Sequence, residues 1–165
     1  YPLVTGVQTC ALPIWVGVTT AKALCWASAA RLLGVSSCEV IAHGTAHAIG
    51  RHDAPVHVGF DAGRGEVFVA AVVPDRRSPS GRLVAAHDWL AGLPAGSIVS
   101  GPGLVLLTDA LASRPDLVVA PPPAWMPAIA DVGRIALLRA AAGEADDTAA
   151  LVPDYIRPSY ADEKR

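Results

Sequence analysis

Charge is scarce in this sequence: only 17% of its 165 residues are Asp, Glu, Lys or Arg, and the net charge is −2. That excludes both a disordered chain held open by charge and a basic nucleic-acid-binding module, so any role with RNA has to pass through a partner. Aromatics are few, at 5%, and Trp26, Trp89 and Trp125 are scattered rather than grouped, which fits core packing better than a base-stacking platform. Cysteine is limited to Cys10, Cys25 and Cys38, an odd count with no C-x-x-C pair. That speaks against a secreted disulfide scaffold and for a reducing, cytoplasmic setting. The uncharged stretch Tyr1–Ala21 is interrupted by Gln8, four Thr and two Pro and lacks a Lys or Arg n-region, so neither a transmembrane helix nor a secretory signal is expected. What the chain does have is apolar residues, 52% of the total. At this length they can bury roughly two-thirds of the unfolded surface, in one domain or two small lobes.

The run Val4–Ile14 has neither helical nor strand periodicity. It looks like the in-frame translation of a sequencing-library adapter, which sets residues 1–15 apart as non-native and leaves Cys10 without a role; a natural irregular arm is the alternative. From Val16 to Ala30 the spacing predicts a helix whose stripe Val18, Ala21, Cys25 and Ser28 is made of small side chains. Leu32–Val35 reads as a short buried strand, and Ser36-x-x-Glu39 as a capping box opening a second helix to about Ala48. Pro55 marks a boundary. Beyond it, Val56–Phe60 and Glu66–Val73 are β-rich runs joined by the glycine-containing hairpin loop Asp61–Gly65. An exposed turn at Pro74–Gly81, helices at Ala86–Leu90 and Leu104–Ala112, strands at Ser97–Ser100 and Leu117–Ala120, and a helix within Met126–Ala142 ending at Gly143 complete the reading. No internal repeat is evident. Strands alternating with helices give an α/β fold of two small lobes, the first incomplete. The boundaries are 1–15 non-native, 16–55 a remnant of the N-terminal lobe, 56–150 the second lobe and 151–165 a polar tail.

Each candidate for chemistry has a plainer reading beside it. His43 and His47 have the i, i+4 spacing of a two-histidine metal site, with His52 nearby, but no Glu lies between them and no third ligand is evident. Exposed helix-end histidines are the expected reading. Gly101-Pro-Gly103 after a strand has the look of a phosphate-cradling turn; with no Lys or Ser/Thr following, an ordinary turn is favoured. Asp61, Arg64 and Glu66 crowd one hairpin, which suggests a turn with an internal ion pair or a partner-contacting surface more than acid–base work. Cys25 and Cys38 read as buried small hydrophobes.

Three blocks, in order, resemble the TsaB family of bacterial tRNA threonylcarbamoyladenosine synthesis. They are Gly17-Val-Thr-Thr-Ala-Lys22 running on to Leu33-Gly-Val-Ser-Ser37; Asp61-Ala-Gly-Arg-Gly-Glu-Val-Phe68, similar to a D-A-R-R-G-E-V-Y hairpin; and Pro153–Arg165, close to a P-x-Y-L-R-P-S-Y-A-E-E-K-R ending. The likeness covers Val16–Arg165. It marks Gly34, Val35, Ser36, Ser37, Asp61, Arg64, Gly65, Glu66, Tyr155 and Arg157 as motif positions. Members begin with a D-T-S-type β-hairpin and a G-P-G-S-F-T-G-L-R loop, and the adapter-like run stands in their place, so the resemblance implies an N-terminally truncated member.

The resemblance further implies a two-lobed actin/Hsp70-like (RNase H-like) fold. It also implies a non-catalytic subunit that works with TsaD and the ATPase TsaE and reaches tRNA only through that complex. No cofactor, metal or membrane association is expected. In the sister family TsaD the same strand is followed by G-V-N-H-x-E-G-H, whose histidines bind the metal; here Ser37 and Ile41 hold those positions. His43 and His47 lie six residues further on, turned about 240° from that helix face. The small-residue face Val18, Ala21, Lys22, Cys25 and Ser28 is the expected partner contact, and it would also suit a homodimer. A TsaD-like transferase or an M22-type glycoprotease is the alternative.

Overall fold

The computed structural model describes residues 6–154 and 156. Two compact units divide the chain: one comprises Tyr1–Gly34 and Ala136–Tyr155, the other Val35–Ile135 and Ile156–Arg165.

The second unit is built on a mixed five-stranded sheet. Its strands are β1 (Val56–Gly63), β2 (Glu66–Val72), β3 (Arg82–Ala85), β4 (Ile98–Ser100) and β5 (Val118–Val119), in the spatial order β3-β2-β1-β4-β5. The β1–β2 and β2–β3 pairs are antiparallel; β1–β4 and β4–β5 are parallel. Alternation along the strands sorts the core into two faces. Val56, Val58, Ala70, Val72 and Ile98 meet Ile41 and Ala42 of α2 (Ser37–Ile49) on one side. Val67, Val69 and Val99 meet Trp89 and Leu90 of α3 (Ala86–Ala91) on the other, along with Leu104 and Leu107 of a 3-10 turn (Pro102–Leu107). Helices therefore cover both faces, as a sheet with parallel pairs requires.

α2 begins where the sequence predicts. Ser36 accepts from the Cys38 N–H at 3.3 Å, and the Glu39 carboxylate returns to the Ser36 N–H at 3.1 Å, so the capping box is closed. Gly50, with φ of 68°, ends the helix in the left-handed region that glycine enters without steric penalty. On the sheet side, Thr45 donates to Ser100 at 2.8 Å and Ser100 donates to the Ala124 carbonyl at 3.1 Å; both hydroxyls are fully buried and satisfied.

Some expectations change. α2, on the N-terminal side of the Pro55 boundary, belongs to the second unit, packed on β1, β2 and β4. The sequence reading assigns no element to Arg82–Ala85, which pairs with β2 as an edge strand too short to show alternation. The single helix expected at Leu104–Ala112 is instead the 3-10 turn followed by α4 (Thr108–Ala112), and the triproline step runs into a second 3-10 turn, Pro122–Trp125.

In the first unit, α1 spans Gly6–Ser28 and so extends well before Val16, through Pro13. Proline removes one helical hydrogen bond there. Pro13 to Gly17 are all exposed, so no apolar periodicity was needed for this part to be helical. The strand expected at Leu32–Val35 is reduced to one antiparallel bridge, Leu32 with Asp146. The Gly34 N–H, which a strand would use in its ladder, donates instead to the Asp146 carboxylate at 2.7 Å. Arg139, on α5 (Ile129–Ala141), donates to the Gly34 carbonyl at 3.2 Å. Gly143, φ 83°, follows α5 as the expected stop.

Candidate functional site

The motif positions fall in three places. Gly34 is pinned in the first unit by Asp146 and Arg139, and a Cβ there would stand 2.9 Å from the tip of Leu151. Val35 is half-buried, Ser36 caps α2, and Ser37 is exposed on its first turn. Glu39 is buried, and its second carboxylate oxygen accepts the Ser78 N–H at 2.5 Å, tying the Pro74–Gly81 turn to the start of α2.

At the hairpin, the Asp61 carboxylate accepts the Gly63 N–H at 2.7 Å. Gly63, Arg64 and Gly65 follow in left-handed conformation, with φ of 72°, 58° and 75°. Two of these three positions are glycine, the residue that enters this region without steric penalty. Glu66 opens β2 opposite Gly63. Tyr155 and Arg157 lie outside the described residues.

On α1, Val18, Ala21, Lys22 and Cys25 form the half-buried side, while Ser28 is exposed and donates to the Leu24 carbonyl at 2.6 Å. Lys22 reaches the Ala149 carbonyl at 3.0 Å, within the same unit. Among the described residues, the large exposed apolar side chains of this helix are others: Ile14, Trp15, Val16, Leu24 and Trp26.

His43 corrects the expectation of exposed helix-end histidines. Its side chain is only 14% accessible and its Nδ1 lies 2.8 Å from Asp75 Oδ1, whereas His47 is exposed. Among the described residues, no three His, Cys, Asp or Glu side chains gather where they could hold a metal ion. Of the two TsaD ligand positions, Ser37 offers a hydroxyl and Ile41 is 1% exposed within the core, so these residues do not fit that metal.

Gly101-Pro-Gly103 has a packing explanation. A Cβ on Gly101, whose φ is 112°, would collide with the Gly59 carbonyl, and one on Gly103 would lie 3.0 Å from the same atom. The two glycines let this loop lie directly on the backbone of β1.

Sequence reasoning passed over His57 and Arg82. The register sets His57 opposite Ala71, and Val69 opposite both Gly59 and Arg82, so all five share the sheet face under α3. His57, Val69, Ala71 and Arg82 contribute to a cleft of about 340 Å³ that is also lined by Ser80, Trp89, Leu93 and Pro94. Burial, and then the charge of Arg82, push the His57 imidazole below its ordinary value. The available signal was the V-H-V-G-F alternation: burying Val56 and Val58 on one face sends His57 and Gly59 to the other.

Helices on both faces of a mixed sheet define the class, and comparison with solved structures narrows it. The chain is similar to YeaZ from Pseudomonas aeruginosa (TM-score 0.65, 19% identity over 85% of this chain). It is similar also to a crystal structure described as an uncharacterized protein with similarity to peptidase YeaZ, from the same organism (TM-score 0.64, 19% identity over 86%). It spans 66% of the length of each. The fold is thus the α/β, actin/Hsp70-like fold of YeaZ. Residues 10–79 match the model of the TsaD family, described as tRNA N6-adenosine threonylcarbamoyltransferase. No curated protein matches the chain.

Proposed function

We propose that this chain is a TsaB-like accessory subunit of the bacterial tRNA N6-threonylcarbamoyladenosine machinery, supporting TsaD, with TsaE as a further partner and tRNA met only through the complex. YeaZ is the protein also called TsaB, and its fold together with the TsaD-family match supports the pathway. One observation carries the non-catalytic part of the reading: where TsaD places its two metal-binding histidines, this chain has Ser37 on the surface and Ile41 inside the core. Imidazole at position 41 would have to replace an aliphatic side chain that packs between α2 and the sheet. The α1 stripe Val18, Ala21, Lys22, Cys25 and Ser28 is the proposed contact, in a cytoplasmic setting, with a homodimer as the competing use of the same face.

The test is co-purification with TsaD, using this chain and a version in which residues 1–15 are replaced by a family-type N-terminus. Retention of TsaD by the restored version, with no tRNA modification by the chain alone, is the expected result. Modification of tRNA without TsaD would overturn the reading in favour of a TsaD-like transferase, the activity named by the matching family model; peptide hydrolysis would favour the glycoprotease alternative. The adapter reading of residues 1–15 has a separate test, direct sequencing of the locus from genomic DNA, where recovery of the codons for Val4–Ile14 would refute it.

A further inference from the structure

We propose that the cleft between β2, β3 and the end of α3 binds a small organic anion, its oxyanion held by the Arg82 guanidinium, the His57 imidazole and the Ser80 hydroxyl, and its apolar or aromatic body lying against Trp89, Leu93 and Pro94. This goes beyond the accessory-subunit reading and does not depend on it.

The polar and apolar halves of the cleft are both set by the sheet. Arg82 and His57 project from the same face, separated only by β2, and are the titratable side chains among the lining residues. Among the described residues no carboxylate pairs with Arg82. Asp88, in an adjoining hollow of about 250 Å³ that shares Arg82, Trp89, Gly92 and Leu93, lies 3.0 Å from His87 Nε2. With no acid between them, the Arg82 guanidinium disfavours a charge on His57 by repulsion, an effect second to that of burial. An anion placed there would remove that repulsion and add charge-assisted hydrogen bonds.

The opposite wall is preorganised. Trp89 is buried with its ring laid on Gly59, where any Cβ would come within 2.5 Å of the indole, so the ring has a fixed seat. Leu93 and Pro94 extend this surface toward solvent. A few convergent polar groups on an apolar cleft of a few hundred cubic ångströms is the usual make-up of a small-molecule site. A fixed aromatic wall spares the ordering that a mobile one would require on binding.

The test follows the His57 imidazole by NMR in the full chain during titration with phenyl phosphate, benzoate and inorganic phosphate. A saturable shift with phenyl phosphate or benzoate is expected, together with a rise of about half a pH unit or more in the His57 midpoint. The stronger of those two ligands identifies the oxyanion. Inorganic phosphate is expected to bind roughly tenfold more weakly, lacking a body to rest on Trp89, and Arg82→Gln to weaken binding by tenfold or more. Absence of a saturable shift with both aromatic anions, equal binding of inorganic phosphate, or unchanged binding by Arg82→Gln would each overturn the proposal. Arg82 is exposed on an edge strand, so the variant is expected to unfold at the parent temperature. If it does not, Arg82→Lys and calorimetry on the unmodified chain decide by the same thresholds.

Discussion

The two units of this chain bury their apolar residues very differently. Every buried hydrophobic side chain among the described residues, from Val40 to Ile135, belongs to the second unit, most of them in the two clusters on either face of the sheet. In the first unit the buried described side chain is Arg139, a cation, while Leu24, Trp26, Leu137 and Leu138 are exposed at 63, 71, 73 and 60%. One unit is held by close packing on strands; the other relies on a few polar ties, among them Gly34 with Asp146 and Arg31 with the Ala140 carbonyl. Burial of apolar surface is the larger stabilising term, so stability is expected to concentrate in the second unit.

The sharpest way to break this contrast is with glycine. Gly101→Ala forces a side chain into a backbone region essentially reserved for glycine and into the Gly59 carbonyl, for a loss of roughly 4 kcal/mol from strain and overpacking together. Gly34→Ala presses on the flexible tip of Leu151 and makes ordinary contact with the Asp146 carboxylate, and is expected to lose less than about 1 kcal/mol. Denaturant unfolding of both variants gives the comparison directly, and equal losses would refute it. Next in size, Ile41→Ala should destabilise by about 3 kcal/mol and Leu138→Ala by less than about 0.5 kcal/mol, read by the same method. Ser36→Ala removes the cap of α2 and should cost about 1 kcal/mol, with a matching loss of amide protection in the first turn.

The smallest effect is with pH. His57 has a folded value below its ordinary 6.5, so between the two values the unfolded chain binds more protons. Stability therefore falls as pH drops through 6.5 and levels off below the folded value. His57→Gln should flatten that part of the curve. Asp116, whose carboxylate is held below its ordinary value first by the Arg114 hydrogen bond, adds a further loss only in more acidic solution. A pH profile of unfolding midpoints that rises on acidification from 7.5 to 5.5 would contradict the His57 assignment.

Much of the second unit was legible because its signals are local. The S-x-x-E box fixed the start of α2, and alternation in Val56–Phe60 and Glu66–Val73 fixed the hairpin, where Arg64 sits between two glycines at φ of 58°. What local pattern does not carry is pairing. The edge strand Arg82–Ala85 exists because β2 offers a free row of donors and acceptors, and Leu32–Val35 failed to become a strand because only Asp146 came to meet it. The cleft is legible only afterwards, since Arg82 and His57 are neighbours through register and far apart in sequence. His43 was misjudged for a related reason: its partner, Asp75, comes from the turn after β2, thirty-two positions away.

The first unit is assembled from two stretches far apart in sequence, with Lys22, Arg31, Leu32 and Gly34 all taking partners between Ala140 and Ala149. On the ribosome, the N-terminal helix must wait for everything from Val35 to Ile135 to emerge before those partners leave the exit tunnel. The sheet can close meanwhile, since its strands and helices are contiguous. Nascent chains stalled before Ala140 would then carry a formed sheet and an N-terminal segment still awaiting its companions, the stage at which a chaperone has most to grip.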